Sequence, residues 1–279
     1  MDLATFRAKD FADVAVVMTD IDDTITTSGA LRATTYAALE SLADAGIAVV
    51  PVTGRPAGWC DMIARFWPVA GVVGENGALW FSHNRTTRQM QSVFAQDEVE
   101  RRDNRRRLDM LAEQILADVP GCALASDQPY RLTDLAIDYS EDVPRLSEQG
   151  VDRIVSLFCA AGATAKVSSI HVNGWFGTHD KLSMTRRVLE QAFGIKDAVE
   201  VSRRIAFVGD SPNDEPMFRA FALSVGVANV RDYVGRMQHM PRYVVEGRGG
   251  DGFVSFAREL LRERGLRHDF RPLCNGAQL

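Results

Sequence analysis

Apolar residues in this chain come in short unbroken runs more often than in strict alternation. Val14 to Thr19 is such a run, rich in β-branched side chains, and predicts a strand buried on both faces as in a parallel sheet. A polar turn follows, then the alanine-rich stretch Leu31 to Ala45, which predicts a helix closed by Gly46. Ile47 to Val52 repeats the strand pattern and ends in Thr53-Gly54-Arg55-Pro56. A helix is expected through Trp59 to Phe66 and a third strand at Gly71 to Gly74. Strands and helices taken in turn this way build a doubly wound sheet.

The pattern changes after residue 82. From Asn84 to His179 long charged stretches separate short strand-like pieces. Helices are expected over Asp97 to Ala117 and Val151 to Ala161, and strands over Leu135 to Tyr139 and Ala165 to Val172. The first pattern then resumes: a helix at Leu182 to Phe193, a buried strand at Ile205 to Val208 and a helix at Glu215 to Ala222. A strand at Leu223 to Val227, an edge strand at Tyr243 to Val245 and a last helix from Gly252 to Arg264 complete it. The expected fold is α/β: a doubly wound parallel, Rossmann-like core from residues 1–82 and 179–279, interrupted by an inserted α+β domain over residues 83–178.

Composition narrows the class without naming a function. With 46% hydrophobic and 25% charged residues, the chain reads as an ordinary globular protein. It has no apolar run of about 18 residues, so no membrane span is expected. Met1 to Asp10 has no apolar segment of the signal-peptide kind. Cys60, Cys122, Cys159 and Cys274 lie far apart, so neither a disulfide framework nor a zinc site is expected, and a reducing cytoplasm fits best. A net charge of −5 speaks against general nucleic-acid binding but not against one phosphate held in a local pocket. The arginines 101, 102, 105, 106 and 107 are interleaved with Asp103 and Asp109, the pattern of a solvated, ion-paired helix face.

The candidate chemistry sits at the ends of the predicted strands, where open α/β sheets bind ligands. Thr19-Asp20-Ile21-Asp22-Asp23-Thr24 packs three carboxylates after the first strand, an arrangement that is costly without a cation. Taken alone, the segment is also what an Asx turn before a helix looks like. Gly209-Asp210-Ser211-Pro212-Asn213-Asp214 puts more carboxylates at another strand end, the donor type a hard cation prefers, though a plain Gly/Pro/Asn turn would read the same. Thr53 and the Gly54 N–H can cradle a phosphate or simply cap a helix. Lys181, where the core resumes, would by itself be an ordinary surface charge.

In order and placement, these four segments resemble the haloacid dehalogenase-like superfamily of phosphatases. Asp20 to Thr24 resembles its DxDxT motif, Thr53 its Thr/Ser motif, Lys181 its lysine motif and Gly209 to Asp214 its GDxxND motif. Few residues separate Thr24 from the helix at Leu31, so the insertion between Thr53 and Lys181 corresponds to the family's second (C2) cap type. Glu75-Asn76-Gly77-Ala78 and Arg248 to Phe253 resemble the branch holding sucrose-phosphate, mannosyl-3-phosphoglycerate and Cof-type phosphatases. Two positions depart from the pattern: Asp23 stands where glycine is usual, and Leu182 replaces the glycine that commonly follows the lysine.

The resemblance implies a magnesium-dependent phosphomonoesterase for a small phosphorylated metabolite, with sugar phosphates favoured. Asp20 would be the nucleophile, Asp22 the acid and base, and Lys181 the phosphate-stabilising cation. Magnesium would be held by Asp20, Asp22 (through its backbone carbonyl) and Asp210, with Asp214 orienting Lys181 or a metal-bound water. Thr53, Gly54, Arg55, Asn76 and Asn213 would contact substrate, and Arg131, Asp134, His171, Asn173 and Trp175 are the cap candidates for specificity. A sugar phosphomutase of the same superfamily is the alternative, with a non-catalytic phosphosugar sensor ranked below both. Oligomeric state is left open.

Overall fold

The unbroken apolar runs do become buried parallel strands. The computed structural model describes residues 4–168 and 170–266, and Cys274 lies outside them. In chain order the first half contains β1 (Ala4–Thr5), β2 (Val16–Thr19), α1 (Ala33–Asp44), β3 (Ala48–Pro51), α2 (Ala57–Phe66), β4 (Val72–Gly74), β5 (Leu79–Asn84) and β6 (Gln89–Phe94). Next come α3 (Glu98–Asp118), β7 (Ala123–Leu124), β8 (Leu135–Asp138), α4 (Glu148–Ala160), β9 (Thr164–Val167) and β10 (His171–Trp175). The chain returns through α5 (Lys181–Phe193), α6 (Ala198–Arg204), β11 (Ile205–Gly209), α7 (Glu215–Ala220), β12 (Leu223–Gly226), β13 (Tyr243–Val244) and α8 (Gly249–Glu263).

The core sheet runs β1-β13-β12-β11-β2-β3, every pair parallel. Successive residues of β2 divide between its two faces. Val17 joins Val49, Ala206 and Val208 under α1, α2 and α8, whereas Val16 and Met18 join Val50, Ile205 and Phe207 under α5 and α7. That two-sided burial is why the strands read as continuous apolar runs. The order reverses at β2, which has β3 on one side and β11 on the other, and a ligand crevice forms at such a switch point.

The antiparallel sheet β7-β8-β10-β9 forms the cap, backed on one face by α3 and α4. Register shows how its faces divide: Leu135, Ile137 and Val172 pack with Leu111, Ile154 and Phe158 of the helices, while Asn173 pairs with Ala136 and Lys166 on the opposite face. That opposite face looks toward the core. The arginine run lies on α3 as expected, with Arg102–Glu98 at 3.1 Å, Arg105–Asp109 at 2.7 Å and Arg106–Asp103 at 3.2 Å.

Three details differ from the sequence expectations. Ala165 to Val172 is a hairpin and not one strand, because Ser168 N donates to His171 O at 2.8 Å and Ser168 Oγ accepts from His171 N at 3.0 Å. Tyr243–Val244 is not an edge strand, because Ala4–Thr5 adds a parallel strand outside it. β4 continues into the antiparallel hairpin β5–β6, so β5 crosses the boundary expected at residues 82 and 83, and Phe94 packs on the core. Among the described residues Cys60, Cys122 and Cys159 are free thiols, and no helix is long and apolar enough to cross a membrane.

Candidate active site

The ends of β2, β3 and β11 open onto one cleft of about 580 Å³, with the polar face of the cap as its roof. Asp20 follows β2 directly and is 4% exposed. Lys181, the first residue of α5, brings Nζ to 2.7 Å from Asp20 Oδ1 and 3.1 Å from Asp214 Oδ1. Asp180 caps that helix and fixes its start. Gly77 permits the approach, since a side chain there would strike the Asp180 carbonyl at 2.0 Å. Leu182, where glycine was expected, packs against the core beside Met184 and Val188.

Asp210 follows β11. Thr24 Oγ1 donates to its Oδ1 at 3.2 Å and Asn229 Nδ2 to its Oδ2 at 3.2 Å. Asp214 is fully buried, and its second oxygen accepts the Asp210 N–H at 3.1 Å. Gly209 leaves room for it, as a side chain there would lie 2.5 Å from Asp214 Oδ2. Carboxylate oxygens of Asp20, Asp210 and Asp214 lie within 4.8 Å of one another.

Three carboxylates sharing one ammonium leave the site short of positive charge. Burial, and then Asp214 and Asp23, push the Asp210 carboxyl up to about 7. Burial also raises Asp20 well above the usual carboxylate range, against the opposing pull of Lys181. Burial disfavours the charge on Lys181, but Asp20 and Asp214 outweigh it and hold its pKa above the ordinary value. The donors are all oxygen and the excess charge is negative, so the residues present fit a hard divalent cation such as magnesium. Asp20 and Asp210 are the better placed to hold it, because both line the cleft whereas Asp214 is fully buried behind them.

Asp22 turns the other way. Its carboxylate sits in the fork of Arg55, with Nε at 3.0 and 3.1 Å and Nη2 at 2.7 Å. Arg55 in turn stacks on Trp59, 4.6 Å from the ring centre. Its guanidinium, expected to meet substrate, is therefore committed to Asp22. Asp23 explains its own departure from the family pattern. Its φ is 55°, in the left-handed region that glycine enters freely and that Asp tolerates better than most residues. Its N–H donates to Thr26 Oγ1 at 3.0 Å and its carbonyl accepts from Asn229 at 2.7 Å, so its backbone braces the Asp210 loop.

The turn after β3 is held from behind. Thr53 O accepts from Asn76 N at 3.0 Å, Gly54 O from Arg131 Nη1 at 3.0 Å, and Arg55 O from Glu75 N at 3.1 Å. Thr53 N–H is bound to Val73 O and Arg55 N–H to Thr53 Oγ1. Of the turn's N–H groups, that of Gly54 has no partner among the described residues and lies on the cleft wall. Thr53 itself lies beneath the turn, fully buried, and does not line the cleft. Asn76 Nδ2 is buried beside Gly54 with no partner among the described residues, and Asn213 lines the cleft with its Oδ1 accepting from Ser211 Oγ.

The cap candidates divide. His171 and Asn173 line the cleft, with His171 Nε2 2.8 Å from Glu141 and its pKa lowered by burial. Trp175 is a packing residue, 1% exposed and stacked on His179. Arg131 and Asp134 form a buried ion pair that also takes in Asp127 and Asn173. Sequence reasoning missed Glu75, whose carboxylate accepts from Ala57 N, Leu132 N, Thr133 N, Thr133 Oγ1 and Asp134 N, clasping the cap to the core. It also missed Asn229, although that residue follows β12 at the same sheet edge as Asp210, and strand-end placement would have flagged it.

Residues 17–104 match the family model for haloacid dehalogenase-like hydrolases. A phosphoglycolate phosphatase from Methanobrevibacter smithii is 25% identical over 248 residues, spanning 86% of this chain and 95% of that one. Among solved structures, a protein from Thermoplasma acidophilum superposes with a TM-score of 0.69 at 17% identity, over 88% of this chain and 98% of its own. The sucrose-phosphatase of Synechocystis sp. PCC6803, solved with sucrose and phosphate, gives 0.61 at 15% identity, over 87% and 95%. The family match carries the Asp20 and Thr53 segments, the solved structures share the fold of the whole chain, and that fold brings Lys181 to Asp20.

Proposed function

We propose that the chain is a magnesium-dependent phosphatase that hydrolyses a small phosphorylated metabolite, with sugar phosphates favoured, through an aspartyl-phosphate on Asp20. The observation that carries this reading is the setting of Asp20: a buried carboxylate on the cleft floor, 2.7 Å from Lys181 and close to Asp210, facing a turn with a free Gly54 N–H. The cleft's lining of Asn173, His171 and Glu141 with Tyr139 suits a polyhydroxy leaving group.

Phosphate monoesters hydrolyse so slowly unaided that enzymes lower the barrier by up to about 29 kcal/mol, and covalent catalysis splits the task in two. In the first step an Asp20 oxygen bonds to phosphorus while the bond to the leaving oxygen breaks, and Asp22 gives that oxygen a proton. In the second, Asp22 takes a proton from water as the water bonds to phosphorus, releasing phosphate and free Asp20. The Arg55 fork fixes where Asp22 delivers and collects that proton. Lys181, Gly54 N–H and Asn213 hold the phosphoryl oxygens, Asp214 keeps Lys181 aimed, and Thr53 fixes the turn from beneath. Magnesium held by Asp20, Asp210 and the Asp22 backbone carbonyl would neutralise charge between anionic nucleophile and anionic phosphate.

The test is direct. Asp20→Asn should abolish turnover of an aryl phosphate while leaving the fold intact, and EDTA should silence the wild type. Wild-type rates in either case would remove the nucleophile or the metal from the account. A screen of phosphorylated metabolites, sugar phosphates and phosphoglycolate included, then ranks substrates by released phosphate. Dependence on a sugar bisphosphate would instead indicate a mutase.

A further inference from the structure

Arg131 stands at the corner where the cap meets the core, and its guanidinium is spent almost entirely on the protein. Nε and Nη2 bind Asp127 at 2.9 Å each, and Nη1 reaches both Asp134 oxygens and the Gly54 carbonyl, each at 3.0 Å. The residue is 6% exposed, so it has little left to offer a substrate. What it does offer is a pin. The other two carbonyls of the turn are held by Asn76 N and Glu75 N, both from the segment after β4. Among the described residues, the Gly54 carbonyl is held only from the cap.

That carbonyl belongs to the Gly54–Arg55 peptide. Rotation of this peptide changes the backbone on both sides, and glycine resists it least. On one side lies the free Gly54 N–H; on the other begins the side chain that grips Asp22. We propose that Arg131 is a positioning residue through which the cap sets the phosphate-binding turn, holding the Gly54 N–H and the Arg55–Asp22 fork in place. Asp127 and Asp134 are there to hold the guanidinium rigid, and Asn173 links the same cluster to the ligand face of the cap. The role of the turn in holding phosphate rests on the phosphatase reading above; the mechanical link between Arg131 and the turn does not.

The experiment compares wild type with Arg131→Met and with the triple variant R131M/D127N/D134N, in which all three positions are uncharged and the two aspartates the single change would strand are removed. Inorganic phosphate is titrated in the presence of magnesium by calorimetry, and the backbone amide signals of Gly54 and Arg55 are followed by NMR. The expected result is a phosphate affinity about tenfold weaker, the equivalent of one lost hydrogen bond. The Gly54 and Arg55 amides should shift while those of β11 stay in place. Phosphate affinity within about twofold of wild type together with unmoved Gly54 and Arg55 amides would overturn the proposal. If the wild type neither bound phosphate nor hydrolysed an aryl phosphate, the phosphatase reading would fall, and the amide signals would still decide whether Arg131 holds the turn.

Discussion

Glu75→Gln tests whether the cap is clasped to the core as the geometry indicates. The Glu75 carboxylate is fully buried; Oε1 accepts from Ala57 N and Leu132 N at 2.8 Å, and Oε2 from Thr133 N at 2.7 Å, Asp134 N at 3.2 Å and Thr133 Oγ1. A glutamine amide keeps one acceptor oxygen and turns the other into a donor. Whichever way it faces, two backbone N–H groups then meet an NH₂ group with no acceptor. Each orphaned donor costs about 1–3 kcal/mol, so the loss from bonding alone is about 2–6 kcal/mol. Removing a buried charge that also repels Asp134 returns part of this, since burial and then Asp134 raise the Glu75 pKa. The net expectation is a destabilisation of about 2–4 kcal/mol, enough to register but not to unfold a typical domain. Urea unfolding measures the total, and hydrogen exchange at Leu132, Thr133 and Asp134 shows where it arises. A change below about 0.5 kcal/mol, or unaltered protection at those three amides, would show that the clasp does not hold the cap.

Burial depresses the His179 pKa from its ordinary 6.5 to about 4, and neither ring nitrogen has a hydrogen-bond partner among the described residues. The unfolded chain therefore binds the proton first, so stability should fall as pH drops from 6.5 toward 4, by at most about 3 kcal/mol; His179→Gln should flatten that part of a stability–pH curve. Asp23→Gly should be tolerated within about 1 kcal/mol, because φ is already 55°, whereas Asp23→Val should cost more; equal melting temperatures for the two would contradict the backbone argument. Arg55→Lys keeps the charge but not the two-pronged grip on Asp22, so turnover should drop about tenfold or more with magnesium affinity unchanged. An unchanged kcat would mean that the fork does not position the acid.

The parallel core was legible because strands buried on both faces leave an unmistakable apolar run, as at Ile205 to Val208. Its edge was not, because Ala4–Thr5 pairs with Tyr243–Val244 across nearly the whole chain and no local pattern reports such a contact. The hairpin inside Ala165 to Val172 was hidden because its turn is made by serine side-chain hydrogen bonding without a glycine or proline to mark it. At the site, Asp20 and Asp210 stood out by strand-end position, and Lys181 only by its place in the order of the segments. Arg55 and Arg131 were visible as charges, but which acid or carbonyl each would meet depended on folding. Glu75 was read as part of a motif, and only the packed cap shows what its carboxylate holds. Asp23 looked anomalous until its φ showed that the position demands a left-handed backbone more than it demands glycine.

The central claim is that Asp20 carries the phosphoryl group during turnover. Acid-quenching the enzyme while it hydrolyses its best substrate with magnesium, then mapping peptides by mass spectrometry, tests this most directly. The account predicts a phosphoryl group on the peptide holding Asp20, converted by borohydride to homoserine at that position and absent in Asp20→Asn. Phosphoryl transfer to any other residue, or undiminished turnover with no label at Asp20, would contradict it.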